Sequence, residues 1–254
     1  MSEAALVSTS TVGQGIHGLY GTLTLNGDGS YSYVRDAGTP GGVSDSFTYT
    51  LRDGDGDLSV ATLRIDIADS DVMIISIPRM GEGTVVEEAG LDAGVGAAPG
   101  SNAGTDVETT SGVITYTAPD APSTVTINGI PVVQAGQQIQ TDKGYLEITS
   151  ISEGRIEYSH TLTTNTNNSG SDPVTDSFEV TVTDVDGDSA TDTLVITILD
   201  DHPPAFADVD FVKEDGPLVA DGNVLTGSGG DDVNATDGVA DVQGADGASV
   251  TGIS

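Results

Sequence analysis

The chain has 254 residues, of which 40 are Asp or Glu and only 7 are Lys or Arg, giving a formal net charge of -33. Basic residues such as Arg35, Arg79, Lys143 and Lys213 stand alone, which excludes the clustered cations that bind phosphate, and nucleic acid is not an expected partner. With no Cys, no Trp and 4% aromatic residues, neither disulfides nor a large aromatic core can hold the fold, and no run approaches the roughly 18 apolar residues of a membrane helix.

In chain order, apolar residues alternate with Thr, Ser and Asp over 21–25, 30–34, 46–51, 61–67, 73–77, 113–117, 124–127, 145–150, 155–160, 177–183 and 192–199. Such alternation places apolar side chains on one face of a strand. Asn26-Gly27-Asp28-Gly29 separates the first two runs and reads as a hairpin turn, since Asn and Gly tolerate positive φ. The one weak helical candidate, 85–91, is broken by Gly90 and leads into the Gly/Ala-rich stretch 94–104. Many short strands with turn residues between them predict an all-β fold of antiparallel β-sandwiches.

A 26-residue segment occurs twice, offset by 131 positions: residues 44–69 and 175–200 are identical at 13 places. Both copies wrap an acidic loop between two strand runs, Asp53-Gly54-Asp55-Gly56-Asp57 and Asp184-Val185-Asp186-Gly187-Asp188. Further echoes fix the phase of the repeat. Gly144-Tyr145-Leu146-Glu147-Ile148 matches Gly21-Thr22-Leu23-Thr24-Leu25. Phe211-Val212-Lys213-Glu214-Asp215-Gly216 echoes 85–90, and Ser249-Val250-Thr251-Gly252-Ile253 echoes 124–130. Residues 1–71 therefore read as the C-terminal half of a repeat, 72–201 as a complete repeat, and 202–254 as a linker with the N-terminal half of a further repeat. Met1 thus falls in mid-repeat and reads as an introduced start. Half a sandwich cannot bury its apolar face, so the two halves are expected to complement each other, head to tail between molecules or by closure within one.

Carboxylates spaced two apart on a glycine-containing turn converge on one hard cation, and Ca²⁺ takes six to eight oxygens in flexible geometry. Asp53, Asp55 and Asp57, and likewise Asp184, Asp186 and Asp188, meet that requirement and resemble the first half of an EF-hand loop. The match stops there, because an EF-hand needs a Glu at loop position 12, where this chain has Arg64 and Val195. Further ligands are expected from the junctions: Asp69, Asp71, Glu87 and Glu88 at the first, and Asp200, Asp201, Glu214 and Asp215 at the second. Catalysis has little support, since His17, His160 and His202 sit in unrelated contexts and no nucleophile or phosphate-loop motif occurs.

Tyr20-Gly21-Thr22-Leu23-Thr24-Leu25-Asn26-Gly27-Asp28-Gly29-Ser30-Tyr31-Ser32-Tyr33, the run from Phe178 to Thr191, and Glu214-Asp215-Gly216-Pro217-Leu218 together resemble the tandem repeats of giant bacterial surface adhesins exported by type I secretion, the RTX and biofilm-associated adhesins. That resemblance implies tandem Ig-like or cadherin-like β-sandwich repeats, non-catalytic extenders stiffened by Ca²⁺ at their junctions and located outside the cell, that contact neighbouring repeats and hold a binding tip away from the surface. The first linker, Asp69-Ser70-Asp71-Val72-Met73, departs from the pattern by lacking the double proline of Pro203-Pro204. A sugar- or peptide-binding module using the irregular stretch 91–110 is the competing reading. Gly227-Ser228-Gly229-Gly230-Asp231-Asp232 resembles one imperfect nonapeptide copy and is expected to be a loop.

Overall fold

The computed structural model describes residues 11–253 except 82, 95–97, 121, 167–172, 203, 217 and 230–238. The start of the Gly227 to Asp232 motif and both ends of the 91–110 stretch are thus described, while Gly230 to Asp232 and residues 95–97 fall outside. The chain forms two compact units: Met1–Ile74 with Tyr116–Val125 and Thr181–Ala190, and Ile75–Thr115 with Thr126–Val180 and Thr191–Ser254. The fold is all-β, and no helix among the described residues is long and apolar enough to cross a membrane.

The first unit contains a three-stranded antiparallel sheet of β1 (Gly15–His17), β2 (Gly21–Leu25) and β3 (Tyr31–Arg35), in that order. The hairpin between β2 and β3 closes where the sequence places it: the Asn26 amide donates to the Ser30 carbonyl, and Gly29 takes φ 88°. A second hairpin pairs β4 (Ser44–Arg52) with β5 (Leu58–Asp66) in continuous antiparallel register. Asp45, buried on β4, ties the two sheets together. It accepts hydrogen bonds from the Leu19 amide (2.8 Å), the Tyr20 amide (3.1 Å) and the Tyr33 hydroxyl (2.7 Å). Burial and the neighbouring Asp45 push the Tyr33 hydroxyl up to about 12.

Residues 73–199, which span the stretch expected to be a complete repeat, contribute two five-stranded sheets. One has the order β10 (Ile130–Pro131), β9 (Thr124–Ile127), β14 (Val174–Thr183), β15 (Ser189–Leu199), β7 (Val85–Glu87). The other has the order β11 (Gln138–Gln140), β12 (Gly144–Ser152), β13 (Arg155–Leu162), β8 (Thr109–Thr117), β6 (Met73–Ser76). Their alternate residues make the core: Ile114, Ile127, Leu146, Ile156, Phe178, Val180, Val182, Leu194 and Ile196 are fully buried. The predicted helical candidate resolves into β7 and a single 3₁₀ turn over Glu88–Gly90, because β7 joins the edge of β15 in parallel, Val85 opposite Thr197 and Glu87 opposite Leu199. Tertiary pairing overrides the weak local preference.

The repeat relationship extends to side-chain networks. His160 lies opposite Leu146 as Tyr33 lies opposite Leu23. Its Nε2–H donates to Asp176, the counterpart of Asp45, at 3.0 Å, and its ring meets Phe178 edge-on as Tyr33 meets Phe47. Burial alone would raise the Asp176 carboxyl, but the bonds from His160 and Thr141 and the Lys143 charge prevail and hold it below its ordinary value.

The equivalent apolar positions are not equally covered. Phe178, Val180, Leu194 and Ile196 are buried, whereas their counterparts Phe47, Tyr49, Leu63 and Ile65 are half-buried, and Leu51 is 59% exposed against none for Val182. Two further two-residue strands, β16 (Gly222–Asn223) and β17 (Ser228–Gly229), form a small hairpin after the complete repeat. In dilute solution, Phe178→Ala should cost about 3–5 kcal/mol through the cavity it leaves. The matching Phe47→Ala should cost only about 1–2 kcal/mol for its smaller buried area. Denaturant unfolding of the two variants measures the difference.

Candidate metal centres

Both acidic loops adopt one backbone conformation, dictated by their shared Asp-x-Asp-Gly-Asp sequence. The Asp53 amide donates to the Asp57 carbonyl (3.1 Å), as Asp184 does to Asp188 (3.0 Å). The first carboxylate of each loop folds back onto its own turn. Asp53 Oδ1 accepts from the amides of Gly56 (2.9 Å) and Asp57 (2.8 Å), and Asp184 Oδ1 from those of Gly187 (3.2 Å) and Asp188 (3.0 Å). Gly56 and Gly187 take φ 106° and 103°, a region that requires glycine.

Their surroundings differ. Asp53, Asp55 and Asp57 bring oxygens within 4.8 Å of one another, but all three are exposed to water. The neighbouring Asp55 side chain and the turn amides keep the Asp53 carboxyl below its ordinary value.

The Asp184 loop instead sits in a nest of acids within the first unit. Asp120, Asp184 and Asp186 form one group, and Asp69, Asp186 and Asp188 form another, each with oxygens within 4.8 Å. Asp186 belongs to both, so five carboxylates share one site. The backbone enforces the gathering: the Val185 amide donates to the Asp120 carbonyl (3.3 Å), and the Gly41 amide to Asp186 Oδ2 (2.9 Å). Gly41 lies so close to Asp69 that a Cβ there would stand 2.4 Å from Asp69 Oδ1. The nearby counter-charge is Arg35, whose guanidinium is 2.6 Å from Asp120 Oδ1. The other oxygens of Asp120, Asp184 and Asp188 are buried and accept no hydrogen bond.

The electrostatics follow from that arrangement. Burial and the adjacent Asp186 raise the Asp184 carboxyl. Asp186 is lowered by its neighbour Asp184, whose own carboxyl is raised, and by the Gly41 amide. Asp188 is raised by burial and then by the negative fields of Asp69, Asp186, Asp71 and Asp120. Donors of oxygen alone, negatively charged and partly shielded from water, suit a hard divalent cation rather than a thiophilic one.

A second group lies in the second unit, where Glu88, Asp200 and Asp246 converge within 4.8 Å. Glu88 is fully buried on the 3₁₀ turn, and its Oε1 accepts from the Thr166 amide and hydroxyl, both at 2.6 Å. Its Oε2 is buried without a partner. Burial raises the Glu88 carboxyl, against the Thr166 bonds, and Asp246 and Asp200 add to the rise.

The sequence-derived set is therefore regrouped. Asp69 and Asp71 lie with the Asp184 loop rather than with Asp53, Asp55 and Asp57, while Glu88 joins Asp200. Asp201 is occupied structurally, accepting from the Ser101 amide (2.7 Å), the Ser101 hydroxyl and the Ala245 amide (3.1 Å). Glu87, Glu214 and Asp215 join no acidic group among the described residues. Asp120 and Asp246 were not anticipated. Asp120 carries one weak signal, an acid set between prolines in Pro119-Asp120-Ala121-Pro122, whereas Asp246 lies in a run of Gly, Ala and Asp that marks no single acid. The described parts of the 91–110 stretch are tied down by the Gly100 amide to the Leu91 carbonyl and the Asn102 amide to the Ala89 carbonyl, each 2.8 Å.

A carboxyl raised on folding holds its proton more tightly in the folded state, so its contribution favours folding at low pH and is lost as pH climbs through the folded value. With divalent cations removed, the melting temperature should therefore rise as pH is lowered from neutral toward the ordinary carboxylate range, as Asp184, Asp188 and Glu88 take up protons. Below about pH 4 it should fall again, because Asp45 and Asp176 are held low on folding and their stabilisation is lost on protonation. Thermal melts across pH in EDTA measure both limbs, and Asp184→Asn with Asp188→Asn should flatten the first.

Residues 2–69 match the family model of the bacterial cadherin-like domain. No curated protein matches the chain. Among solved structures it is similar to mouse clustered PcdhgC3 EC1-3, with 18% identity and a TM-score of 0.30 over 71% of this chain and 51% of that one, so the chain spans about half the length of that structure. The stretch that matches the cadherin-like family carries β1 to β5, the Asp53 loop and Asp69.

Proposed function

We propose that the chain is a non-catalytic extender of a bacterial cell-surface adhesin, working outside the cell in adhesion and biofilm formation, with Ca²⁺ stiffening its acidic loops and junctions. The observation that carries this reading is the five-carboxylate nest of Asp69, Asp120, Asp184, Asp186 and Asp188. It draws Asp69 from the linker after β5, Asp120 from the loop between β8 and β9, and the rest from the turn between β14 and β15. A cation bound there would bridge three segments far apart in sequence and stop them moving independently. The buried, unpartnered oxygens of Asp120, Asp184 and Asp188 are the atoms that such an ion would take. Glu88, Asp200 and Asp246 would form a second, smaller site, and Asp53, Asp55 and Asp57 a weak, exposed one.

The cadherin-like match over residues 2–69 supports an extracellular, adhesion-type repeat, and the resemblance to exported adhesin repeats supplies the biofilm and type I secretion context. A low-calcium cytosol would leave the nest repelling itself and the chain easier to keep unfolded for export. Millimolar calcium outside would compensate it.

Melting curves with Ca²⁺, Mg²⁺ or EDTA test the reading. A site filled at a hundredfold its Kd adds about 2.7 kcal/mol to stability, so millimolar Ca²⁺ should raise the melting temperature clearly. Asp188→Asn should raise it in EDTA, by relieving repulsion, yet shrink the calcium-dependent gain; Asp55→Asn should do little in either. If wild-type protein melts alike in Ca²⁺ and EDTA, the calcium reading fails.

A further inference from the structure

We infer that the open apolar face of β4 and β5 is a docking surface for a second copy of this chain, whose segments 211–216 and 249–253 supply the covering strands, with Phe211–Lys213 adding as a parallel edge strand beside residues 66–68. This inference concerns side-chain burial and strand pairing and does not rest on calcium.

The complete repeat is the template. Its β14 and β15 share 13 of 26 aligned residues with the β4 to β5 segment, so the two hairpins present the same face. In the complete repeat that face is buried, and the outer edge of β15 is taken by β7, with Thr197, Ile198 and Leu199 opposite Val85, Val86 and Glu87. In the first unit, among the described residues, β4 and β5 remain a two-stranded sheet, and Phe47, Tyr49, Leu63 and Ile65 are left half-covered. An unpaired edge beside an apolar face is a template for strand addition.

The occupant is written in the same chain. Residues 211–216 echo 85–90, the segment that contains β7, and 249–253 echo 124–130, the segment that contains β9. In this structure neither echo is in a strand, and Phe211, Val212, Val250 and Ile253 are all exposed. Shifting the β7 register back by 131 positions sets Phe211 opposite Asp66, Val212 opposite Ile67 and Lys213 opposite Ala68. Lys213 then stands where the template has Glu87, beside Asp66 and Asp69, so charge as well as shape favours the placement. The same segment is held within its own unit by the Ala245 amide on Asp201, the Phe206 amide on Asp241 and the Val239 amide on Asp208. None of these three bonds uses Phe211–Lys213 or residues 249–253, which stay exposed for a second copy.

The chain has no Cys, so disulfide trapping reads the register directly. Partnered Cα atoms in a sheet lie within the range that a disulfide spans. Under mild oxidation, an equimolar mixture of Ala68→Cys chains and Lys213→Cys chains should give at least tenfold more mixed disulfide dimer than Ala68→Cys mixed with Val219→Cys, in Ca²⁺ and in EDTA alike. Sedimentation of wild-type protein should show mass growing with concentration, and Phe211→Asp should abolish the growth. Wild-type protein that stays monomeric at every concentration would overturn the inference. So would a double variant, Ala68→Cys with Lys213→Cys, that closes on itself as a monomer while the mixture stays unlinked.

Discussion

Like-charge repulsion among carboxylates that the backbone has already gathered is the constraint on which the acidic nest of the first unit depends. The turn from Asp184 to Asp188, the Val185 amide on the Asp120 carbonyl and the Gly41 amide on Asp186 set the geometry, and none of these bonds neutralises charge. Arg35 answers one carboxylate of the five. Two remedies remain, a proton or a cation, and they compete for the same buried oxygens. Proton uptake by the metal-free nest and cation binding at neutral pH are for that reason two expressions of one imbalance.

Two loops with one Asp-x-Asp-Gly-Asp pattern have become different sites. Asp53 and Asp184 make the same turn with the same amides, so the motif alone specifies conformation. Charge density depends on what the rest of the chain brings alongside: water for the first loop, and Asp69, Asp71 and Asp120 for the second. The strands, the Asn26 to Gly29 hairpin, the repeat phase and both acidic turns were legible because each is fixed by local pattern. The grouping of acids was less so. Asp188 and Asp200 bracket the eleven-residue β15 and lie at its opposite ends, roughly 35 Å apart at the usual rise; the Asp184 loop and the Asp200 linker therefore belong to separate clusters. Strand length carried that information, whereas the roles of Asp120 and Asp246 arise from loops whose paths no periodicity encodes. β7 was obscured for a similar reason, since three residues beside two glutamates and two glycines become a strand only through the edge of β15.

The repeats also differ inside. Tyr33 on Asp45 and His160 on Asp176 occupy the same register position and both clasp a buried carboxylate next to a phenylalanine ring. The retained element is the Asp, which in one repeat gathers two amides and a hydroxyl and in the other a hydroxyl and an imidazole. A buried acid with enough donors acts as a clasp between sheets in proteins that lack disulfides, and its donors can be exchanged in kind between the two repeats.

The parallel pairing of β7 with β15 has a mechanical meaning. The chain enters the complete repeat ahead of β7 and leaves it after β15, and these two strands lie side by side pointing the same way. Tension applied at the two ends would drag them past each other along their length, loading their hydrogen bonds together rather than one after another as in an opening zip. β6, held separately on the other sheet by β8, stands before β7 on the path of the pull. A repeat of this design resists stretching through its strand order, before any ion or neighbouring domain contributes.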